Sequence, residues 1–268
     1  MIKRQMDRGT LLGVLVAAFG VVAGLLLDGG TVTQIVQPTA ALIVLGGTLG
    51  AVLIQFPIGI VLETVRQLRH SLIDSSASGT EVMGQLVGYC TQVRRNGILT
   101  LDAQLDDIEN GFLRRALTLA VDGLPVRELR EVMEVDLYHD EEREESVPKV
   151  LEAAGGFAPT LGIVGAVLGL IQVMQRMNDI GGIGKGIAVA FVSTLYGIGL
   201  ANLFFLPLAG KLRIRIRERQ IVREMTLDAV VAIVEGISAR ALKLRFEPYL
   251  IERFAKAQPA PEQEMAIP

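Results

Sequence analysis

The stretch GFAPTLGIVGAVLGLIQVM, residues 156–174, contains no charged side chain. About 19 residues at ~1.5 Å of helical rise each cover close to the ~30 Å hydrocarbon core of a bilayer, so the stretch reads as a membrane-crossing helix. A second stretch, GIAVAFVSTLYGIGLANLFFLPLAG, residues 186–210, lies between Lys185 and Lys211. Its greater length suits a tilted crossing or one that runs past the membrane. Small residues recur one turn apart, at Gly46 and Gly50 and at Gly162, Gly165 and Gly169. That spacing lets helix backbones approach closely in lipid, and it leaves open whether the glycines serve packing alone or a path between subunits.

Working outward, Gly9 to Leu27 is uncharged over bilayer length, and it is too long for the apolar region of a signal peptide despite its basic lead-in. Between Asp28 and Glu63 lies another uncharged run, in which Pro38 and Pro57 delimit a core from Thr39 to Phe56. The expected fold is therefore all-α: a polytopic membrane protein with four transmembrane helices and a helical cytoplasmic domain. Residues 1–56 form the first hairpin, 57–155 the cytoplasmic domain and 156–210 the second hairpin. Residues 211–268 form a cytoplasmic helix followed by a disordered tail.

Composition agrees with a membrane assignment. Half of the 268 residues are hydrophobic and the mean hydropathy is +0.44, above the usual range for a soluble domain. The net charge of −3 gives no sign of a nucleic-acid partner. Lys3, Arg4 and Arg8 precede the first span, Arg66 and Arg69 follow the second, and Lys211, Arg213, Arg215, Arg217 and Arg219 follow the fourth. Basic residues are retained on the cytoplasmic side during insertion, which puts both termini inside. The connections near 28–37 and 178–184 hold no Lys or Arg and face the opposite side.

Between the hairpins, Leu101, Leu105, Ile108 and Phe112, then Val126, Leu129, Val132, Met133 and Leu137, recur at helical spacing. Gly97, Gly111 and Gly123-Leu124-Pro125 supply the breaks. Cys90 is the single cysteine, so it has no internal disulfide partner, and it reads as a small buried apolar residue. The acidic run Asp136, Asp140, Glu141, Glu142, Glu144 and Glu145 contains Arg143 and no loop glycine, and it reads as a solvated helix face rather than a metal site. Motifs of nucleophilic hydrolases, nucleotide-binding loops and zinc proteases do not occur, and neither an enzyme nor a cofactor is expected.

No Asp, Glu or His falls within the four uncharged stretches, whose hydroxyls include Thr160, Ser193, Thr194 and Tyr196. Membrane proteins that move ions commonly keep an ionisable group at mid-bilayer. A chain of this kind that conducts protons needs another chain to supply the titrating group.

Residues 156–169 and 186–199, together with the order of spans, cytoplasmic domain and basic tail, resemble the MotA family of flagellar motor stator subunits over nearly the whole chain. The resemblance implies a homo-oligomer in the bacterial inner membrane, a ring of five subunits around two copies of a MotB-type subunit. Each of those carries one span with a proton-accepting aspartate. It also implies an ion path with Pro159, Ala166, Thr194 and Tyr196 beside it, and a role for Pro207 in conformational coupling. Thr194 matches a threonine that faces the partner's aspartate. Sodium-driven members carry a threonine at the position of Ala166, which favours protons as the coupling ion.

Residues 93–102, Val-Arg-Arg-Asn-Gly-Ile-Leu-Thr-Leu-Asp, resemble the segment that touches the rotor protein FliG, with Arg94 and Asp102 at its charged positions. Relatives usually have glutamate at the latter. Read without the resemblance, Pro159 fits a first helical turn, Pro207 a tolerated kink, Thr194 a bond to its own backbone and the charged pair a solvated surface. The alternatives to a stator subunit are a TolQ- or ExbB-like channel subunit energising an envelope process, and a passive membrane scaffold.

Overall fold

The computed structural model describes residues 5–6, 8–74 and 79–254. The expected tail at the end of the chain lies outside these residues, as do Lys3 and Arg4. Among the described residues ten helices follow in order: α1 Arg8–Leu27, α2 Val32–Ile35, α3 Pro38–Gln55, α4 Ile58–Leu72, α5 Gly79–Asn96, α6 Gly111–Val121, α7 Val126–Gln175, α8 Ile180–Leu200, α9 Leu206–Val234 and α10 Ala239–Phe254. A 3-10 helix, Ile98–Asp107, joins α5 to α6. Single π-helical turns interrupt α3 at Leu42–Gly46 and link α8 to α9 at Ala201–Phe205. Among the described residues the sole extended pairing is a two-residue antiparallel ladder, Gln5–Met6 (β1) with Ile73–Asp74 (β2). The chain is an all-α protein, as its apolar runs imply.

Among the described residues, three helical stretches are long and apolar enough to cross a bilayer: Pro38–Gln55, Val126–Gln175 and Gly181–Val234. Leu12–Leu27 is a shorter apolar helix. Their outward faces are apolar, with Leu15, Val16, Phe19, Leu42, Leu49, Ile54, Val167 and Phe191 all exposed. Apolar side chains that no protein atom covers over whole helices are suited to hydrocarbon as solvent.

The chain divides into two compact units, residues 1–75 with 142–216 and residues 76–141 with 217–268, and both α7 and α9 contribute to each. In the first unit α3 runs antiparallel to the second half of α7. Val52 packs with Val150 and Ala154, while Ile43 meets α7 at Gly165. Val147, Leu151, Ala209 and Leu212 cluster with Leu68 and Phe205. Thr64, buried in α4, donates its hydroxyl to its own helix at Ile60 O (2.8 Å) and to Val147 O (3.4 Å). Arg213 pairs with Glu152 at 2.5 Å.

The second unit has a conventional core. Leu86 and Cys90 of α5, Leu101 and Leu105 of the 3-10 helix, Leu113 and Leu117 of α6, Leu129 and Met133 of α7, Val230 and Ile233 of α9, and Leu242 and Phe246 of α10 are all buried in one cluster. Val132, part of the same sequence periodicity, falls on the exposed side. Gly97 and Gly123 take φ of +84° and +80°, left-handed values that a side chain strongly disfavours, and each ends a helix. Cys90 donates to Ile237 O at 3.3 Å. Burial pushes its thiol above the ordinary range, and the nearby Arg94 guanidinium opposes this less strongly. The acidic run on α7 is partly paired, Asp136 with Arg115 at 2.6 Å and Asp140 with Arg223 at 3.7 Å.

Candidate functional site

The second half of α7 and the whole of α8 meet backbone to backbone. A Cβ at Gly162 would sit 2.9 Å from the Ser193 carbonyl oxygen and 3.3 Å from the Cα atoms of Thr194 and Gly197. At Gly169 it would lie 2.6 Å from the Gly186 carbonyl oxygen, and at Gly197 2.5 Å from the Ala158 carbonyl oxygen. Backbone atoms cannot step aside, so these positions admit no side chain. In lipid, where helices gain little from sequestering apolar surface, such close approach supplies the packing that holds them together.

The seam also holds hydroxyls that are buried or half-buried. Ser193 is fully buried and its Oγ would be 2.5 Å from a Cβ at Gly165, yet the hydroxyl makes no hydrogen bond. The Thr48 hydroxyl on α3 is likewise buried without a partner. Buried hydroxyls are normally satisfied, and one left unmade costs about 1–3 kcal/mol. Ser193 therefore holds a donor and an acceptor in reserve inside an apolar helix pair. Thr194, half-buried beside it, donates to its own backbone at Ala190 O (3.2 Å).

Of the residues expected beside an ion path, Pro159 and Thr194 both lie at the seam. The Pro159 Cα would lie 3.1 Å from a Cβ at Gly197, and Thr194 borders Gly162. Ala166 follows Gly165 on α7 and is half-buried. Tyr196 reaches elsewhere: its hydroxyl donates to Ile35 O at 2.5 Å and accepts from the Gln37 N–H at 3.3 Å. Pro207 is exposed near the start of α9, directly after the π turn. A proline inside a helix removes one donor, and a π turn accommodates the displaced ladder. Asn202 within that turn donates its side-chain amide to Ile198 O at 2.9 Å, satisfying a carbonyl there.

Arg94 and Asp102 both lie exposed on the second unit, on either side of Gly97. Arg94 and Arg95 end α5, where positive charge complements the helix dipole. The Thr100 hydroxyl bonds the carbonyls of Asn96 and Gly97, and Gln104 bonds Gln92 across to α5 at 3.2 Å. With Leu101 and Leu105 buried, the 3-10 helix holds Asp102 on its outer side.

Sequence reasoning names Ser193 only as one hydroxyl among several. The signal available was a Ser-Thr pair in an apolar helix, and neighbouring helical residues point about 100° apart, so one of the two must turn inward. Thr48, after Gly46-Gly47, carries a similar signal.

A family model described as Motility protein A N-terminal matches residues 11–97, and one described as the MotA/TolQ/ExbB proton channel family matches residues 104–225. Motility protein A of Bacillus subtilis is 31% identical over 247 residues, covering 91% of each chain. Chemotaxis protein PomA of Vibrio alginolyticus is 31% identical and covers 92% of this chain and 96% of its own. Among solved structures, C. jejuni MotAB superposes with a TM-score of 0.86 at 28% identity over 91% of this chain and 96% of that one. The flagellar MotAB stator complex from Bacillus subtilis gives 0.83 at 30% identity over 94% and 100%. With nine-tenths of its length matched at this identity, and with the glycine seam on the page, the chain belongs to the MotA/TolQ/ExbB proton channel family, on its motility protein A side.

Proposed function

We infer that this chain is a flagellar motor stator subunit, an integral membrane protein that forms an ion channel with a MotB-type partner and is not an enzyme. Full-length similarity to motility protein A supports this reading. So does the α7–α8 seam, which holds hydroxyls but no carboxylate and therefore needs a titrating group from elsewhere.

In finer detail, protons are the coupling ion, because the methyl of Ala166 offers no oxygen to replace a metal ion's hydration shell. The subunit crosses the membrane four times with both termini inside, and five copies surround the partner. The partner's aspartate meets the seam near Ser193 and Thr194. Protonation removes its charge and changes which helix face it prefers. One charge crossing ~100 mV makes about 2.3 kcal/mol available, enough to bias such a preference. Pro207 and the π turn before it give the α8–α9 connection a place to adjust, and Arg94 with Asp102 carries torque to FliG by complementary charge.

The test is swimming speed of a strain deleted for this gene and complemented with wild type or Ala166→Thr, while sodium and a protonophore are varied. Rescue by wild type is expected to collapse with protonophore and to ignore sodium, and Ala166→Thr to introduce sodium dependence. Speed that follows sodium in the wild type would overturn the choice of ion. Normal swimming without the gene, in a strain that has no second stator, would overturn the stator reading.

A further inference from the structure

The break between α2 and α3 interrupts helical backbone hydrogen bonding. Pro38 opens α3 without an N–H, Gln37 before it provides no side-chain cap, and Val36 is extended. The break also does not lie beyond the helix ends. Ile43 meets Gly165, and from there α3 rises only about 7.5 Å to Pro38, whereas the antiparallel α7 continues about 15 Å to Gln175. Ile35 and Gln37 are half-buried there, so their backbone groups have less water to turn to than those of an exposed loop.

Tyr196 meets both groups with one atom. Its hydroxyl donates to the Ile35 carbonyl and accepts the Gln37 N–H, from 161 and 159 residues away in sequence. We propose that Tyr196 is a positioning residue that clamps the α2–α3 turn to α8, so that the start of α3 and the helix bearing Ser193 and Thr194 move as one body. Thr194 precedes Tyr196 by two residues, so any rotation of α8 that re-aims its hydroxyls also pulls on the turn. The clamp thereby holds the face that Thr194 and Ser193 present. Its mechanical half rests on the stator reading above. Its structural half does not.

The experiment uses Tyr196→Phe, which removes the oxygen and keeps the ring, in the intact complex with its partner. Two readouts are taken: hydrogen–deuterium exchange over residues 32–38 in the purified complex, and stepwise recovery of rotation in single tethered-bead motors. Expected are exchange at the Gln37 amide faster by at least about tenfold, as for loss of a local protecting bond, and recovery steps of normal number but reduced height. Step number reports how many complexes assemble, and step height reports the torque of each. Unchanged exchange would overturn the clamp whatever the motor does. Faster exchange with full-height but fewer steps would reduce Tyr196 to a folding role and overturn the positioning claim. A deletion strain that swims normally without a second stator would sink the stator reading and the torque half with it, while exchange would still decide the clamp.

Discussion

At the scale of single residues, the molecule is most sensitive where it has no side chain. A Cβ added at Gly197 would meet the Ala158 carbonyl oxygen at 2.5 Å and the Cα atoms of Gly162 and Pro159 at 3.1 Å, all of them backbone. Gly197→Ala must therefore push two helices apart, and overpacking of this kind costs about 1–3 kcal/mol. The expected outcome is a complex that dissociates at lower temperature in detergent and supports little or no swimming. Gly84 is the control. It sits exposed in α5 with nothing near its missing Cβ, and Gly84→Ala should stabilise by about 0.5–1 kcal/mol because alanine forms helix more readily. Equal losses from both would show that helix propensity, not the seam, dominates. The four-residue spacing of Gly165 and Gly169 was legible in the sequence. That Gly186 and Gly197 line the facing helix was not, since a close approach depends on the rotation of both helices. Tyr196 shows the same limit more sharply: its partners are backbone groups, which carry no sequence signature.

At the scale of elements, hydropathy marks which stretches suit hydrocarbon, but it says little about where a helix stops. The charged residues 126–155 and the apolar residues 156–174 read as different segments, yet α7 runs unbroken through both for 50 residues, with Pro148 and Pro159 inside it. Helical hydrogen bonding continues whatever the solvent, and neighbouring helices tolerate the missing donors. The 3-10 form of residues 98–107 was equally hidden, since Leu101, Leu105 and Ile108 fit an α-helical period as well. Within the second unit, α7 is joined to α9 by Arg130, which lies 2.9 Å from Asp228 and 3.5 Å from Glu134 on its own helix. Burial opposes the guanidinium charge, but hydrogen bonds and attraction from Asp228 and Glu134 outweigh it and hold its pKa above the ordinary value. The guanidinium therefore stays charged at every physiological pH. Both side chains are about a third exposed, so Arg130→Met should cost only about 1 kcal/mol. Thermal unfolding of the purified complex, compared in low and high salt, is the check. A loss well above that, insensitive to salt, would mean that the pair is effectively buried.

For the whole molecule, the sequence divides the work between an apolar helix bundle and a charged helical unit, and the two call for separable defects. Arg94 and Asp102 belong to the second unit and are exposed, whereas the glycine seam and its hydroxyls belong to the first. Reversing either charge should leave proton uptake by cells expressing this chain with its partner unchanged and lower only the torque. Exposed pairs are worth ~0–1 kcal/mol each and are screened over about 8 Å at physiological ionic strength. A single reversal should therefore slow swimming partially, and more at high load than at low. The proposed rotor contact has a sign, so Arg94→Glu should be relieved by an acidic-to-basic change on the rotor protein, while Asp102→Lys should require the opposite change. Asp102→Glu keeps the charge and lengthens the side chain by one methylene, and it should at least match wild-type speed. Swimming by both reversals at wild-type speed under high load would remove this patch from the torque path. Reversals that abolish proton uptake as well would mean that the two units are not separable in function.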